Sequence, residues 1–196
     1  MAFYDSIAPG YDELYAEEQR IKLGIIKENL DIKTNDLLLD VGCGTGLSSD
    51  FDCEVIGIDP SMELLQQSNN NENDNKKQSI IKNAQKSKIF GTNSIGFNNK
   101  TTNKNNKVLG MAENIPFKDN AFDKVISVTA MHNFDDIVKG MQEMKRVGKN
   151  DFVFSILKKS AVYKLIEKEI NENFNIRKII DDKKDSIFIC SKIFKQ

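Results

Sequence analysis

The sequence lacks any apolar run approaching the ~20 residues that a membrane-crossing helix needs. Cysteine is scarce, and Cys43, Cys53 and Cys190 are odd in number and lack the spacing of metal ligands. A disulfide framework and a zinc site are therefore not expected. Met1 leads into a polar, tyrosine-bearing segment rather than an apolar leader. These absences predict a protein of the reducing cytoplasm, with no bound metal and no membrane partner.

Basic residues are not concentrated in any part of the chain that is predicted to fold. The net charge of −1 divides into −10 for residues 1–68, +6 for residues 69–107 and +3 for residues 108–196. Nucleic-acid-binding domains usually carry a concentrated basic face, because phosphate contacts supply most of their affinity. The charge pattern therefore does not support a nucleic-acid partner, although it does not exclude one.

The length of 196 residues predicts a single domain, residues 1–196, with one low-complexity insertion at about residues 68–107. That segment is rich in Asn and Lys and has only scattered apolar residues, so it cannot bury enough surface to offset its ordering entropy. We predict a disordered insertion in a surface loop. A neutral low-complexity expansion and a nucleic-acid-binding arm are the two interpretations of it.

Outside the insertion, short β-branched or leucine-rich runs alternate with helix-like stretches, which predicts an α/β fold with a mainly parallel sheet. Seven strands are predicted, at Leu37 to Val41, Glu54 to Ile58, Val108 to Met111, Lys124 to Thr129, Asp151 to Leu157, Ile176 to Ile180 and Ile187 to Ser191. Helices are predicted at Tyr11 to Asn29, in a short stretch after Gly46, and at Met62 to Gln67, Ile137 to Arg146 and Ala161 to Asn173.

Two details refine this architecture. Ile137, Met141 and Met144 repeat at i, i+4 and i+7, so we expect these methionines in the core rather than at a cofactor. The last two strands, joined through a polar turn from Asp181 to Asp185, predict an antiparallel hairpin at the edge of the sheet.

The first chemical motif is LLLDVGCGTG, residues 37–46, in which a buried strand ends at Asp40 and Val41 and then turns through three glycines. Gly42, Gly44 and Gly46 permit backbone conformations closed to other residues and let a ligand approach the main chain. The pattern predicts a nucleotide-like ligand, because the dinucleotide fingerprint follows strands in a similar place.

The second motif is VIGIDPS, residues 55–61, where the next strand ends at Asp59. A carboxylate at this position can accept hydrogen bonds from both hydroxyls of a ribose. The alternative is a helix N-cap, since Asp before Pro and Ser is a good helix start. The register with the glycine loop favours the ribose role.

Taken together, the motifs resemble those of the class I S-adenosylmethionine (SAM)-dependent methyltransferases, in the methyltransferase type 11 and ubiquinone–menaquinone methyltransferase-like group. DVGCGTG looks like the family's first motif and GIDPS like its second, and GMAENIPFKDNAFDKVISVTA, residues 110–130, is similar to its third and fourth. The resemblance spans nearly the whole chain. It implies a Rossmann-like fold with helices on both faces of the sheet, SAM as cofactor and methyl transfer as activity.

The resemblance also implies roles for individual residues. The methionine part of SAM would lie on Asp40 and the backbone of Gly42, Cys43, Gly44 and Gly46. Asp59 would take the ribose, Met62, Ala112 and Glu113 would surround the adenine, and the backbone ending at Thr129 would close the site. YDSIAPGYDELY looks like a lid helix in which Tyr11 packs over the cofactor, with Tyr4 and Tyr15 as alternatives. Packing of these tyrosines on the domain is the competing interpretation.

Three features depart from the family pattern. Met111 stands where many relatives carry an acidic residue that contacts the adenine. Only 13 residues separate Gly46 from Asp59, so the first crossover helix must be very short. The Asn/Lys-rich insertion interrupts the chain between the second and third motifs.

His132, the only histidine, follows the fourth strand with Asn133 beside it, where a general base would be useful. A structural histidine that caps the loop is the alternative. VTAMHNF lacks the Asn-Pro-Pro-Tyr type motif of amide and adenine-amine methyltransferases, which argues against those acceptors. The acceptor therefore stays unidentified among small molecules, RNA and proteins.

Three hypotheses follow from the sequence. The first is an active methyltransferase, the second a SAM-binding scaffold without turnover, and the third a nicotinamide dinucleotide enzyme, which the motif set disfavours. Some minimal relatives depend on a small zinc-binding activator protein that pairs with the sheet edge, and by that analogy such an activator is a candidate partner.

Overall fold

The computed structural model describes residues 17–67 and 106–193, which form one seven-stranded mixed sheet with helices on both faces. The strands are β1 (Leu37–Val41), β2 (Glu54–Asp59), β3 (Lys107–Leu109), β4 (Phe122–Val128), β5 (Gly148–Leu157), β6 (Phe174–Asp181) and β7 (Asp185–Lys192). The helices are α1 (residues 17–29), α2 (Met62–Gln67), α3 (Ile137–Val147) and α4 (Tyr163–Asn173). Single 3₁₀ turns lie at Leu47–Asp50, Ala112–Asn114 and Met131–Asn133.

The strand order is β3-β2-β1-β4-β5-β7-β6. Pairs from β3 to β5 are parallel, whereas β7 is antiparallel to both β5 and β6. The order reverses beside β1, so the carboxyl ends of β1 and β4 diverge there into a crevice where ligands of open α/β sheets bind. The predicted fold class and the predicted antiparallel hairpin at the edge are both confirmed.

Alternate residues of the central strands face opposite layers of the core. Leu39 of β1 and Val125 of β4 pack with the buried residues of α3 and α4, whereas Leu38 and Ile126 pack with the buried residues of α1. Burial on both faces explains why these strands appear in the sequence as near-continuous apolar runs.

The sequence of α3 explains its length and its orientation. Asp136 caps its first turn by accepting a hydrogen bond from the Lys139 amide at 3.0 Å. Ile137, Met141 and Met144 are buried against the sheet, as predicted. The helix ends where β5 begins directly at Gly148, without the loop that the sequence suggested.

At the amino ends of the strands, Lys124 of β4 is buried between two carboxylates. Its Nζ lies 2.6 Å from Asp151 Oδ2 and 3.7 Å from Asp36 Oδ2. This ion pair lies at the end of the sheet opposite to the glycine loop.

Some sequence predictions need small corrections. The short helix expected after Gly46 is a single 3₁₀ turn, and Lys107, expected at the end of the insertion, is instead the first residue of β3. Of the helix predicted from Tyr11 to Asn29, residues 17–29 are helical. The described residues do not include most of the insertion or the three tyrosines Tyr4, Tyr11 and Tyr15. None of the helices within residues 17–67 and 106–193 combines the length and apolarity that a bilayer span requires.

Candidate functional site

The glycine loop follows β1 and turns back over the end of β2. Gly42, Gly44 and Gly46 have φ values of +78°, +52° and +87°, in the left-handed region that disfavours side chains. The amides of Gly42 and Cys43 both donate to the Ile58 carbonyl oxygen, at 2.8 and 3.2 Å. The loop is therefore fixed to the tip of β2.

Space as well as backbone angle requires glycine in this loop. A Cβ at Gly42 would overlap the side chain of Ala130, just beyond β4, and a Cβ at Gly46 would overlap the end of Lys107. The Cys43 side chain occupies the space above Gly57 of β2. The loop thus packs directly against its neighbours on both sides.

Asp40 carries the most unusual electrostatics of the site. Its side chain is 5% exposed, and Oδ2 accepts a hydrogen bond of 2.5 Å from Ser48 Oγ, whereas buried Oδ1 accepts none from the described residues. Burial raises the pKa of Asp40 to about 6, and the charge of Asp59 adds to the rise, while the Ser48 hydrogen bond and Lys107 oppose it. An unpartnered buried carboxylate oxygen suits a cationic ligand.

Asp59 ties the glycine loop to the turn before α2. Its Oδ2 accepts from the Gly44 amide at 2.8 Å, and its Oδ1 accepts from the Ser61 amide at 2.9 Å. The helix cap itself is Ser61, whose Oγ accepts from the Leu64 amide at 3.3 Å. The N-cap alternative for Asp59 therefore does not describe this structure, because Ser61 takes the cap and Asp59 holds the turn before it.

A cleft lies between the glycine loop and α1. Gln19 and Leu23 line it from α1, Leu47 and Ser48 line it from the 3₁₀ turn, and Val128 lines it from the end of β4. Asp40 and the loop residues from Gly42 to Thr45 form the remaining wall. The predicted residues of the methionine subsite are thus brought to one cavity, apart from Gly46, which does not line it.

The residues predicted to surround an adenine lie at the carboxyl ends of β2 and β3. The Gly110 amide donates to the Asp59 carbonyl oxygen at 3.1 Å, which joins these two ends. Ala112 is buried in the core, and Glu113 Oε1 accepts from the Asp136 amide at 3.1 Å, at the start of α3. Met62 is the first residue of α2. The structure therefore joins the strand end before Ala112 and Glu113 to Asp59 but turns the Glu113 carboxylate toward α3.

Thr129 has a conformation that the sequence did not suggest. Its φ of +54° is rare for a β-branched residue. Its Oγ1 accepts from Lys22 Nζ at 3.0 Å and donates to Asp185 Oδ2 at 2.7 Å, which holds the turn in place. Its amide donates to the Ser155 carbonyl oxygen at 3.0 Å.

Lys22 and Asp185 form a fully buried ion pair at the same edge of the sheet. Lys22 Nζ lies 3.1 Å from Asp185 Oδ1, and both side chains are 0% exposed. Asp185 Oδ2 also accepts from Ser155 Oγ at 2.6 Å, and Lys22 donates to Glu18 at 2.8 Å. This pair ties α1, and hence one wall of the cleft, to the ends of β4, β5 and β7.

His132 lies in the 3₁₀ turn after β4 and is half-buried. Burial lowers its pKa, the charge of Lys22 lowers it further, and that of Asp185 opposes the change. Its Nε2 is 3.3 Å from Asn133 Nδ2. Since Ala130, two residues earlier, abuts Gly42, the imidazole lies in the turn that adjoins the glycine loop.

The three cysteines show no redox or metal chemistry in the described part of the chain. Cys43, Cys53 and Cys190 are free thiols. Burial, followed by the charges of Asp40 and Asp59, raises the pKa of Cys43 well above its ordinary value, so its thiol stays protonated. Within residues 17–67 and 106–193, no group of His, Cys, Asp or Glu side chains is arranged to hold a metal ion.

Sequence reasoning missed Ser48, which lines the cleft and donates to Asp40, and the buried residues Lys22, Asp185 and Lys107. The only local signal was Lys22 among apolar helix residues, four positions after Glu18. The contacts of Lys22 with Asp185 and of Lys107 with Thr45 join distant segments, so no local pattern could identify them.

Comparison with known proteins places the chain in a family. The family model described as a methyltransferase domain matches residues 39–156. An uncharacterized protein of Methanocaldococcus jannaschii is 29% identical over 88% of this chain and 57% of its own. An uncharacterized methyltransferase of Schizosaccharomyces pombe is 35% identical over 60% of this chain and 38% of its own. The chain thus spans about half the length of these curated relatives.

Solved structures share the fold at low sequence identity. The [4+2]-cyclase SpnF superposes with a TM-score of 0.70 at 13% identity, covering 97% of this chain and 94% of its own. The Haloferax volcanii partner of the Trm112 methyltransferase activator gives 0.67 at 14% identity, covering 97% and 98%. Magnesium protoporphyrin IX methyltransferase from Synechocystis, with bound SAM, gives 0.59 at 13% identity, covering 90% and 79%. With its motifs, sheet order and matched family model, the chain belongs to the methyltransferase domain family, among the class I SAM-dependent methyltransferases.

Proposed function

We propose that the protein binds SAM in the cleft between α1 and the glycine loop and transfers its methyl group to an acceptor. The observation that carries the proposal is Asp40 Oδ1, which is buried in the cleft wall and accepts no hydrogen bond from the described residues. An ammonium group, such as that of a methionine moiety, would satisfy this oxygen. When bound, SAM supplies an activated methyl group on a sulfonium, which needs alignment more than covalent help.

The chain's own residues would divide the binding as follows. Asp40 and the backbone of Gly42, Cys43, Gly44 and Gly46 would hold the methionine part. Asp59 orients the loop through the Gly44 amide, and its carboxylate would accept hydrogen bonds from the ribose hydroxyls. Met62, Ala112 and Glu113 would border the adenine, the backbone at Thr129 would close the cleft, and Tyr11 would cover it. The Glu113 hydrogen bond to Asp136 supports a backbone contribution at this position rather than a carboxylate one.

We propose His132 as the general base, which would take a proton from the molecule that receives the methyl group. Its lowered pKa keeps the imidazole neutral at neutral pH, as a base requires. Its turn adjoins the glycine loop through Ala130, which supports a position near the reacting end of the cofactor. If His132 is the base, turnover falls below its pKa, where the imidazole becomes protonated.

The second candidate function is SAM binding without methyl transfer. It is favoured by the similar fold of a protein described as a [4+2]-cyclase, since a shared fold does not determine chemistry.

A small activator protein is a further proposed partner. Among the described strands, β3 and β6 each have a neighbour on one side only, and Leu109 on β3 is 37% exposed. An added strand could pair with such an edge. The Trm112 complex of the Haloferax protein supports an activator of this kind.

Calorimetry with SAM, S-adenosylhomocysteine and NAD tests the cofactor. We expect SAM binding in the wild type, a loss of at least about tenfold in affinity for Asp40→Asn, and no change for Asp135→Asn, an exposed carboxylate in the same region as His132. NAD binding without SAM binding would refute the proposal.

Transfer of labelled methyl groups into fractionated extract then tests turnover and identifies the acceptor class. The His132→Ala variant should bind SAM normally and transfer methyl groups at least about a hundredfold more slowly. Unchanged turnover on an identified acceptor would remove His132 from the mechanism. Binding of SAM with no transfer into any fraction, with or without an activator, would favour the second candidate.

A further inference from the structure

Lys107 is a lysine buried beneath the glycine loop. It begins β3, is 5% exposed, and its Nζ donates to the Thr45 carbonyl oxygen. A Cβ at Gly57 would lie 3.6 Å from its Cγ, and one at Gly46 would overlap its end. The side chain therefore passes over Gly57 and ends against the backbone of the loop.

The crossover from β1 to β2 explains why the loop needs such a contact. Residues 42–53 contain a single 3₁₀ turn, Leu47–Asp50. The residue before this turn is Gly46, so no side chain caps it. A full helix at this position would order the loop through its own amide ladder. Here bonds from β2 and β3 add to the loop's own Gly46-to-Cys43 hydrogen bond: these come from the Ile58 carbonyl, the Asp59 carboxylate and Lys107.

Lys107 also supplies charge to a site that contains two carboxylates. The charge of Asp59 and burial raise the pKa of Asp40, and the charge of Lys107 lowers it. The other titratable group facing this site is the Cys43 thiol. Burial raises its pKa, the charges of Asp40 and Asp59 raise it further, and the charge of Lys107 lowers it. From α1 the cleft receives Gln19 and Leu23, which do not titrate.

We propose that Lys107 is a positioning residue for the cofactor loop, which it braces at Thr45 and Gly46, while its positive charge favours the ionised form of Asp40 for a cationic cofactor group. The charge role rests on the proposed function, because it requires SAM binding. The bracing role concerns the protein without cofactor, so the bracing role and the charge role can fail separately.

Hydrogen exchange on the cofactor-free protein tests the brace. In Lys107→Met, which keeps most of the length of the side chain but not its donor or charge, we expect the peptide covering residues 42–50 to exchange at least about tenfold faster. The matched control is Lys124→Met, which removes another buried lysine from the same sheet at the opposite strand ends. It should leave loop exchange unchanged. Equal loop exchange in wild type and Lys107→Met would overturn the bracing role.

Calorimetry with SAM between about pH 5.5 and 8.5 tests the charge role. This range includes the Asp40 pKa of about 6 and extends to the higher pH expected for the variants. Affinity should rise with pH as Asp40 ionises. In Lys107→Met the midpoint should move to higher pH, and affinity at pH 7 should fall at least about fivefold. Lys107→Gln keeps a donor without the charge, so it should restore loop protection but not the midpoint. It also serves as the test variant if the methionine substitution prevents folding.

Two results would overturn the charge role. One is an unchanged midpoint in both Lys107 variants, and the other is tighter SAM binding in Lys107→Met, which would mean that the lysine opposes the cofactor. Absence of SAM binding to the wild type would refute the proposed function and the charge role together. The exchange experiment would still decide the brace.

Discussion

Asp40 should make the protein less stable as pH rises, because its carboxyl group must ionise in a buried site. Its pKa is about 6 in the folded state against 3.8 for an unperturbed carboxyl. The folded protein therefore binds more protons than the unfolded chain between these values, and stability falls as pH rises through that window. A shift of roughly two units corresponds to about 3 kcal/mol over the full window, and to about 1.4 kcal/mol between pH 5 and 8.

Asp40→Asn removes the titration while conserving shape. Asn keeps an oxygen that can accept from Ser48 Oγ but replaces the unpartnered oxygen with an NH2 group, so the absolute stability of the variant includes an unrelated cost. The informative quantity is the difference in unfolding free energy between wild type and variant, measured in urea at pH 5, 6, 7 and 8. We expect the variant to gain about 1.4 kcal/mol relative to wild type across this range.

The control is Asp135→Asn, which removes an exposed carboxylate of the loop before α3. Its difference from wild type should be flat across the same pH values. If the Asp40→Asn difference is also flat, or reverses sign, the carboxyl does not titrate as a buried, weakly compensated group and the reasoning fails. If the pH-dependent difference for Asp40→Asn appears only at low salt, the carboxyl behaves as a screened surface charge instead.

Two further perturbations test the loop and the buried ion pair. Gly46→Ala should destabilise the protein by about 1–3 kcal/mol and weaken SAM binding in calorimetry, because the residue has φ +87° and abuts Lys107. Its counterpart Gly24→Ala, in α1 with open space around it, should stabilise by about 0.5–1 kcal/mol, and equal effects at the two glycines would contradict the argument. Lys22→Met should cost about 3–5 kcal/mol in urea unfolding by leaving Asp185 buried without its cation. Adding Asp185→Asn should recover part of that loss, and no recovery would show that the pair is not the cause.

Much of the fold follows from local patterns in the sequence. The seven strands lie within a few residues of their predicted positions, because β-branched and leucine-rich runs bounded by polar turns have few alternatives. The stripe of Ile137, Met141 and Met144 identified the buried face of α3 for the same reason. The errors lie at junctions such as Gly148, where a helix passes into a strand without a turn signal.

Part of the candidate site could also be predicted from local sequence patterns. Three glycines at alternate positions after a buried strand require left-handed turns and close packing, and the structure has both. The alternative role of Asp59, as the N-cap of α2, is not the one observed: Ser61 Oγ accepts from the Leu64 amide, whereas Asp59 accepts from the Ser61 amide. Local spacing allowed either residue to take the cap.

Local sequence patterns were enough to predict the α/β fold, the glycine loop and the family, since each depends on residues adjacent in the chain. The electrostatics of the cleft emerge only when distant segments pack together. Lys107 lies at the end of a polar insertion yet is buried, and Lys22 meets Asp185 from near the other end of the chain. Burial and charge pairing depend on which distant segments pack together, and so do the raised pKa of Asp40 and the lowered pKa of His132.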